Sequence, residues 1–272
     1  MMNVATLESG SLPCGSPIAT VLSFATRIRR GSPLLAAWGA ALALGVVVML
    51  GLLFVDDRLL RGTWVWAKPI KFCLSLALLA WTSAFFMTLL PAARRGSMTV
   101  RGVAAVIVGA GSFELLYIVW QAAHGQPSHF FVSDPFHAAM YALMGVGAMS
   151  LTASQGVLAW QVHRHAGVGI GPAFKLAVVL GLTLTTLLGS AAGAVLASHQ
   201  PQLGSALPLV GWNLRGGDLR PAHFLGIHAE QLLPAFGWIV GRRAGRNGRV
   251  AVWLAAVAYV VVFAIVFRLG QA

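Results

Sequence analysis

Near-continuous apolar windows of roughly 18 to 25 residues fill most of this 272-residue chain, and each is long enough to cross about 30 Å of hydrocarbon as a helix. The windows lack the strict alternation of a membrane barrel strand, so helices are the expected way to satisfy the backbone in lipid. Hydrophobic residues make up 58% of the chain and charged residues 10%, too apolar a balance for a soluble domain. The 31 glycines fit the same reading, because small residues let membrane helices approach closely.

Seven spans are expected, at about 34–54, 70–91, 98–121, 136–160, 173–197, 222–240 and 250–268. The fold class is therefore all-α: a polytopic integral membrane protein with a seven-transmembrane-helix bundle at 34–272, preceded by a polar N-terminal cytoplasmic segment at 1–33. Arg27, Arg29 and Arg30 come directly before the first apolar run, an order that suits an uncleaved first span rather than a signal peptide. Pro69, Pro135, Pro172 and Pro221 sit at or just before expected helix starts, where a missing N–H costs nothing. No internal repeat is evident.

Charge sets the orientation. One set of loop ends carries Arg27, Arg29, Arg30, Arg94, Arg95, Arg101, Arg164, Lys175, Arg242, Arg243, Arg246 and Arg249 against Glu8 alone. The opposite ends carry Arg58, Arg61, Lys68, Lys71, Arg215, Arg220 and Arg268 with every remaining acid. The first side is expected to be cytoplasmic, with the N-terminus inside and the C-terminus outside a bacterial-type plasma (inner) membrane. The net charge of +12 is spread over short loops, without a basic tail or recognition motif, so the partner is the lipid bilayer and not nucleic acid. Cys14 and Cys73 form no CxxC pair and are not expected to bond.

The expected outer side also collects His124, His129, His137, His199, His223 and His228. Glu114 is the sharpest of the candidates: it lies about two turns, roughly 12 Å, inside the outer end of the third span. A lone carboxylate at that depth is costly and should face the bundle interior, paired, protonated or metal-bound. In PAHFLGIHAEQLLPAFGW, His223 and Glu230 are seven residues apart and share a face, whereas His228 is rotated by about 140° from His223. His228 is the better buried ligand, and His223 suits the rim. Asp134 and Pro135 are expected to start the fourth span, placing His137 where it can oppose His228.

These residues admit more than one chemistry. His137 and His228 across a cavity would suit bis-histidine haem b, with Lys68 and Arg220 near the propionates. With Glu114 and His223 they would equally suit a metal ion, iron, copper or zinc. In that enzyme or redox protein, Glu114, Lys71 and Glu230 are the candidate catalytic groups, acting on a hydrophobic or amphipathic small molecule at the outer half of the bundle. The rim cations Arg58, Arg61, Lys68, Lys71 and Arg220 also suit lipid phosphates or an anionic substrate, or simple snorkelling and salt bridges. The alternative function is proton-coupled secondary transport using Glu114 and His228, and a lipid-binding or assembly scaffold is a further one. The last expected span has no lysine for a retinal Schiff base.

Overall fold

A computed structural model describes residues 17–199, 211–213, 216–243 and 247–272. Cys14, Arg215, Arg246 and most of the loop expected at 198–221 lie outside the described residues. The chain is a helical membrane protein. Its helices are α1 (Pro17–Gly31), α2 (Pro33–Leu52), α3 (Ala67–Met87), the short α4 (Ala92–Arg95), α5 (Met98–Ala123), α6 (Pro135–His165), α7 (Pro172–Leu184), α8 (Ser190–Ser198), α9 (Arg220–Arg243) and α10 (Gly248–Gln271). Residues Thr185–Gly189 form a π-helical turn that joins α7 to α8 without a break.

Among the described residues, six helical segments are long and apolar enough to cross a membrane: α2, α3, α5, α6, the continuous α7–α8 unit and α10. α9 is as long as α10 but more polar, since it carries His223, His228, Glu230 and Gln231. It is a central element all the same, packed against α7, the π-turn and α10. Within the N-terminal segment, Pro17–Gly31 forms α1, which docks on α2 and α3 through buried Ile28 and the ring of Phe24, 6.5 Å from Phe85.

Capping residues set several helix starts. Ser32 accepts the amide of Leu35 at 3.3 Å, Ser97 that of Val100 at 3.4 Å, and Asp134 that of His137 at 3.0 Å. Pro33, Pro135 and Pro172 occupy first-turn positions. Glycine lets α9 reach its neighbours' backbones. A Cβ on Gly226 would lie 2.8 Å from the amide nitrogen of Gly189, and one on Gly181 would lie 2.9 Å from the carbonyl oxygen of Ala229. Only small residues permit such contact.

One end of the bundle is tied together by polar loops. Asp56 accepts from Arg58 and, at 2.7 Å, from the indole of Trp66, while Arg58 also donates to the carbonyl of Ala123 at 3.1 Å. A two-stranded hairpin, Leu59–Leu60 with Thr63–Trp64, turns through Arg61 and Gly62, both at positive φ. Across the same end, Asp218 accepts the amides of Asn213 and Arg220 and two nitrogens of the Arg220 guanidinium, which also donates to the carbonyl of Gly211.

Candidate functional site: a polar seam between α3, α5, α6 and α9

The two buried carboxyls lie at similar distances along their helices. Glu114 lies nine residues from Ala123 at the end of α5, and Glu230 lies ten from Arg220 at the start of α9. At 1.5 Å per residue these are about 14 and 15 Å along their helices from the ends that meet the histidine-rich loops. Glu114 is 5% exposed and Glu230 is fully buried. Glu114 Oε1 lies against Gly147 of α6, where an added Cβ would come within 3.1 Å, and this oxygen has no hydrogen-bond partner. Glu230 accepts from Gln231 at 3.0 Å through Oε1, while its Oε2 has no partner.

Gln231 links this level to its neighbours. Its side-chain oxygen lies 3.1 Å from His228 Nδ1, and its nitrogen reaches Thr82 of α3 at 3.4 Å. The amide of Glu230 donates to Thr185 Oγ1 at 3.0 Å, tying α9 to the start of the π-turn. His228 Nε2 is buried without a partner, and its ring packs on Phe224 at 4.2 Å, which in turn packs on Trp212 at 5.3 Å. His223 stands against Gly193 of α8, and its buried Nδ1 has no hydrogen-bond partner. Buried polar atoms without a protein partner are uncommon.

Toward the opposite end the seam continues through neutral groups. Ser83 of α3 donates to Gln155 of α6 at 3.1 Å, and Gln155 donates to Ser154. Thr152 Oγ1 and Ser190 Oγ are 2.8 Å apart, joining α6 to α8. Gln161 lies deeper still along α6, buried, with its side-chain oxygen unpartnered.

Above the carboxyls, Lys68 Nζ donates to Ser128 Oγ at 2.7 Å and to His129 Nδ1 at 2.8 Å. His129 also lies 6.0 Å from the rings of Phe72 and Tyr141. Burial, then the charge of Lys68, then His223, hold the His129 imidazole well below its ordinary pKa, so it is neutral. Lys68 is within electrostatic reach of Lys71, Arg61, Arg220 and Glu114. At Asp218 burial acts to raise the carboxyl pKa, but the hydrogen bonds from Arg220 and from the amides of Asn213 and Arg220 prevail and hold it below the usual carboxylate range.

The structure distributes the expected residues unequally. Glu230, His228 and Gln231 form one connected group, His223 lies a little more than one turn above it, and Lys68 lies within electrostatic reach of Glu114. Lys71 is half-buried at the same end, within reach of Arg220 and Asp218. His137 has a different setting: its Nδ1 meets Asp134 at 2.5 Å, and its ring lies among Trp120, Phe131 and Phe136. The rings around His137 and around His228 are different ones. Among the described residues, no three His, Cys, Asp or Glu side chains converge as a metal ion requires. Cys73 is a buried free thiol.

Neutral glutamines are the principal residues that charge-based reading passes over. Gln121, Gln155, Gln161 and Gln231 all sit inside apolar helices, and Gln121, Gln155 and Gln161 are almost wholly buried. A buried amide in a span is a signal of the same kind as a carboxyl, only weaker. Searches against protein-family models, curated proteins and solved structures find no significant match to this chain.

Proposed function

We propose that this chain is a proton-coupled secondary transporter in a bacterial-type plasma (inner) membrane. It has seven spans, α9 being counted as the sixth in chain order, with its arginine-rich end in the cytoplasm and its histidine-rich end outside. The observation that carries this reading is the pair Glu114 and Glu230, buried on different helices at similar distances along them, each with an unpartnered oxygen. An ionised carboxylate near the middle of a transmembrane helix costs about 2.5–3.5 kcal/mol on insertion scales, so a proton there moves with the local surroundings. Coupling sites of secondary transporters are expected near the midplane, where helices meet. In this role Glu114 and Glu230 take and release the proton, while Gln231 and His228 hold the hydrogen-bonded link between α3 and α9. The seam through Ser83 and Gln155 supplies polar groups on the other side of the midplane.

The test uses purified full-length protein in liposomes adsorbed to a solid-supported electrode. A pH jump should drive a transient charge movement in the wild type, reduced in Glu114→Gln and abolished in Glu114→Gln/Glu230→Gln. Equal charge movement in the double variant, with both proteins folded, would defeat the proposal.

A second reading is favoured by three buried imidazole nitrogens without partners, His137 Nε2, His223 Nδ1 and His228 Nε2. Such nitrogens suit a haem or an iron, copper or zinc ion, which would supply redox or Lewis-acid chemistry when bound. Lys68 and Arg220 would then balance haem propionates, and Glu114 or Lys71 would serve as proton donor or acceptor. Elemental analysis and the visible spectrum of protein purified without added metal decide this reading. A Soret band or stoichiometric metal lost in His228→Ala supports it, and the absence of both removes it.

A further inference from the structure

The end of α3 that faces the histidine-rich loops concentrates positive charge around a lysine whose direct partners are neutral. Lys68 Nζ is held by a hydroxyl, Ser128, and by an imidazole nitrogen, His129 Nδ1. Because the ammonium donates to Nδ1, that nitrogen acts as the acceptor and His129 brings no negative charge. Lys71, Arg61 and Arg220 add positive charge within electrostatic reach.

The acids of the described residues are few. Glu8 lies outside the described residues. Asp56 is engaged by Arg58 and Trp66, Asp134 by His137, and Asp218 by Arg220 with two backbone amides. Asp57 is exposed, and Glu230 bonds to Gln231. Among the described residues, Glu114 acts on Lys68 from nearby and forms no ion pair with it.

A half-buried ammonium with neutral neighbours and a cationic surround is stabilised by an anion that accepts charge-assisted hydrogen bonds. Lys68 remains partly accessible, as a solute-binding group at the opening of the bundle must be. The imidazole Nδ1 of His223, buried and without a hydrogen-bond partner, lies within electrostatic reach of His129 and offers a further polar contact below. We propose that Lys68, with His129, Ser128 and the surrounding cations, forms a binding site for a small oxyanion, a carboxylate or phosphate group, at the histidine-rich end of the seam. As an assignment of the transported species, this rests on the proton-coupled reading: an anion seated above Glu114 is the natural companion of a proton carried at Glu114, because the pair crosses with less net charge.

The experiment titrates detergent-solubilised full-length protein with inorganic phosphate, with acetate and with neutral acetamide, all at one total ionic strength set with sodium chloride. Intrinsic tryptophan fluorescence and the thermal midpoint are the readouts. Saturable binding of phosphate or acetate, but not acetamide, is expected, and whichever anion binds tells phosphate recognition from carboxylate recognition. Lys68→Gln should weaken it by about tenfold, the scale of one charge-assisted contact, while Lys68→Arg should retain most of it. If Lys68→Gln does not fold, Lys71→Gln and Arg61→Gln should each weaken binding severalfold at low salt. No saturable response to either anion, or unchanged affinity in the folded cation variants, would overturn the site. Comparing anion binding with proton-driven charge movement separates the two claims. Anion binding that persists without proton-driven charge movement in the wild type removes the coupling but leaves the site, and the converse result removes only the site.

Discussion

The ammonium of Lys68 and the imidazole of His129 are 2.8 Å apart, a contact that exists only while the imidazole is neutral. Protonating His129 would set two cations against each other in a partly buried place. The folded state therefore holds the His129 pKa far below 6.5, whereas the unfolded chain takes up the proton near 6.5. Between these values the unfolded state binds more protons, so stability rises with pH and is fully present above about 6.5. We expect the thermal midpoint to fall as the pH is lowered from 7 to 5, and this slope to flatten in His129→Gln. An identical slope in that variant would show that His129 is not the group responsible.

Asp218 is a second anchor at this end, with a side chain sealed from solvent, while the Arg220 side chain keeps 34% of its exposure. Asp218→Asn removes the charge that holds the guanidinium. Breaking a fully buried pair costs about 3–5 kcal/mol, and partial solvation of Arg220 lowers the expectation to about 2–3 kcal/mol. Denaturant titration of the purified variant checks this. The folded-state carboxyl pKa is depressed, so the wild-type contribution is present above the ordinary carboxyl value of 3.8 and fades as pH falls below it.

Gln231 bonds to His228, Glu230 and Thr82 at once. Gln231→Leu should cost about 2 kcal/mol or more, because the buried groups it serves are left unsatisfied. A loss below a few tenths of a kcal/mol would mean that these bonds have replacements.

Close helix contact gives a contrast between two glycines. Gly226→Ala forces a Cβ to within 2.8 Å of the Gly189 backbone and should cost about 1–3 kcal/mol, whereas Gly102 of α5 has open space around the same atom. Gly102→Ala should be neutral or stabilising by up to about 1 kcal/mol. Equal midpoints for the two variants would contradict the packing described between α9 and the π-turn.

The sequence shows its long helices readily because hydropathy is summed over some twenty residues, and no local contact can reverse that sum. Ends are less visible. The fourth expected span stops at 160, yet α6 runs to His165, since a helix leaving hydrocarbon can continue in water and His163, Arg164 and His165 favour its C-terminus. The amphipathic α1 lies inside a segment that reads as polar, because its helical character depends on docking through Ile28 and Phe24. Depth alone singles out Glu114, His228 and Glu230. The partners of Lys68 are different: Ser128 and His129 are sixty and sixty-one residues away, in a loop whose path only the tertiary fold determines. Gln231 is overlooked for another reason, as an uncharged amide barely changes a hydropathy window although it holds the centre of the seam.

The π-turn at Thr185–Gly189 governs the phase of everything that follows it. Gly181 and Gly189 both face α9, yet they are eight residues apart, which in an unbroken α-helix separates their directions by about 80°. One extra residue accommodated in a wide turn takes back about 100° and brings the two directions to within about 20° of each other. Deleting a single residue between Thr185 and Gly189 would leave a perfectly good transmembrane helix. It would also swing Ser190, Ala192 and Gly193 away from their partners on α6 and α9, so that segment tolerates substitution far better than a change of length.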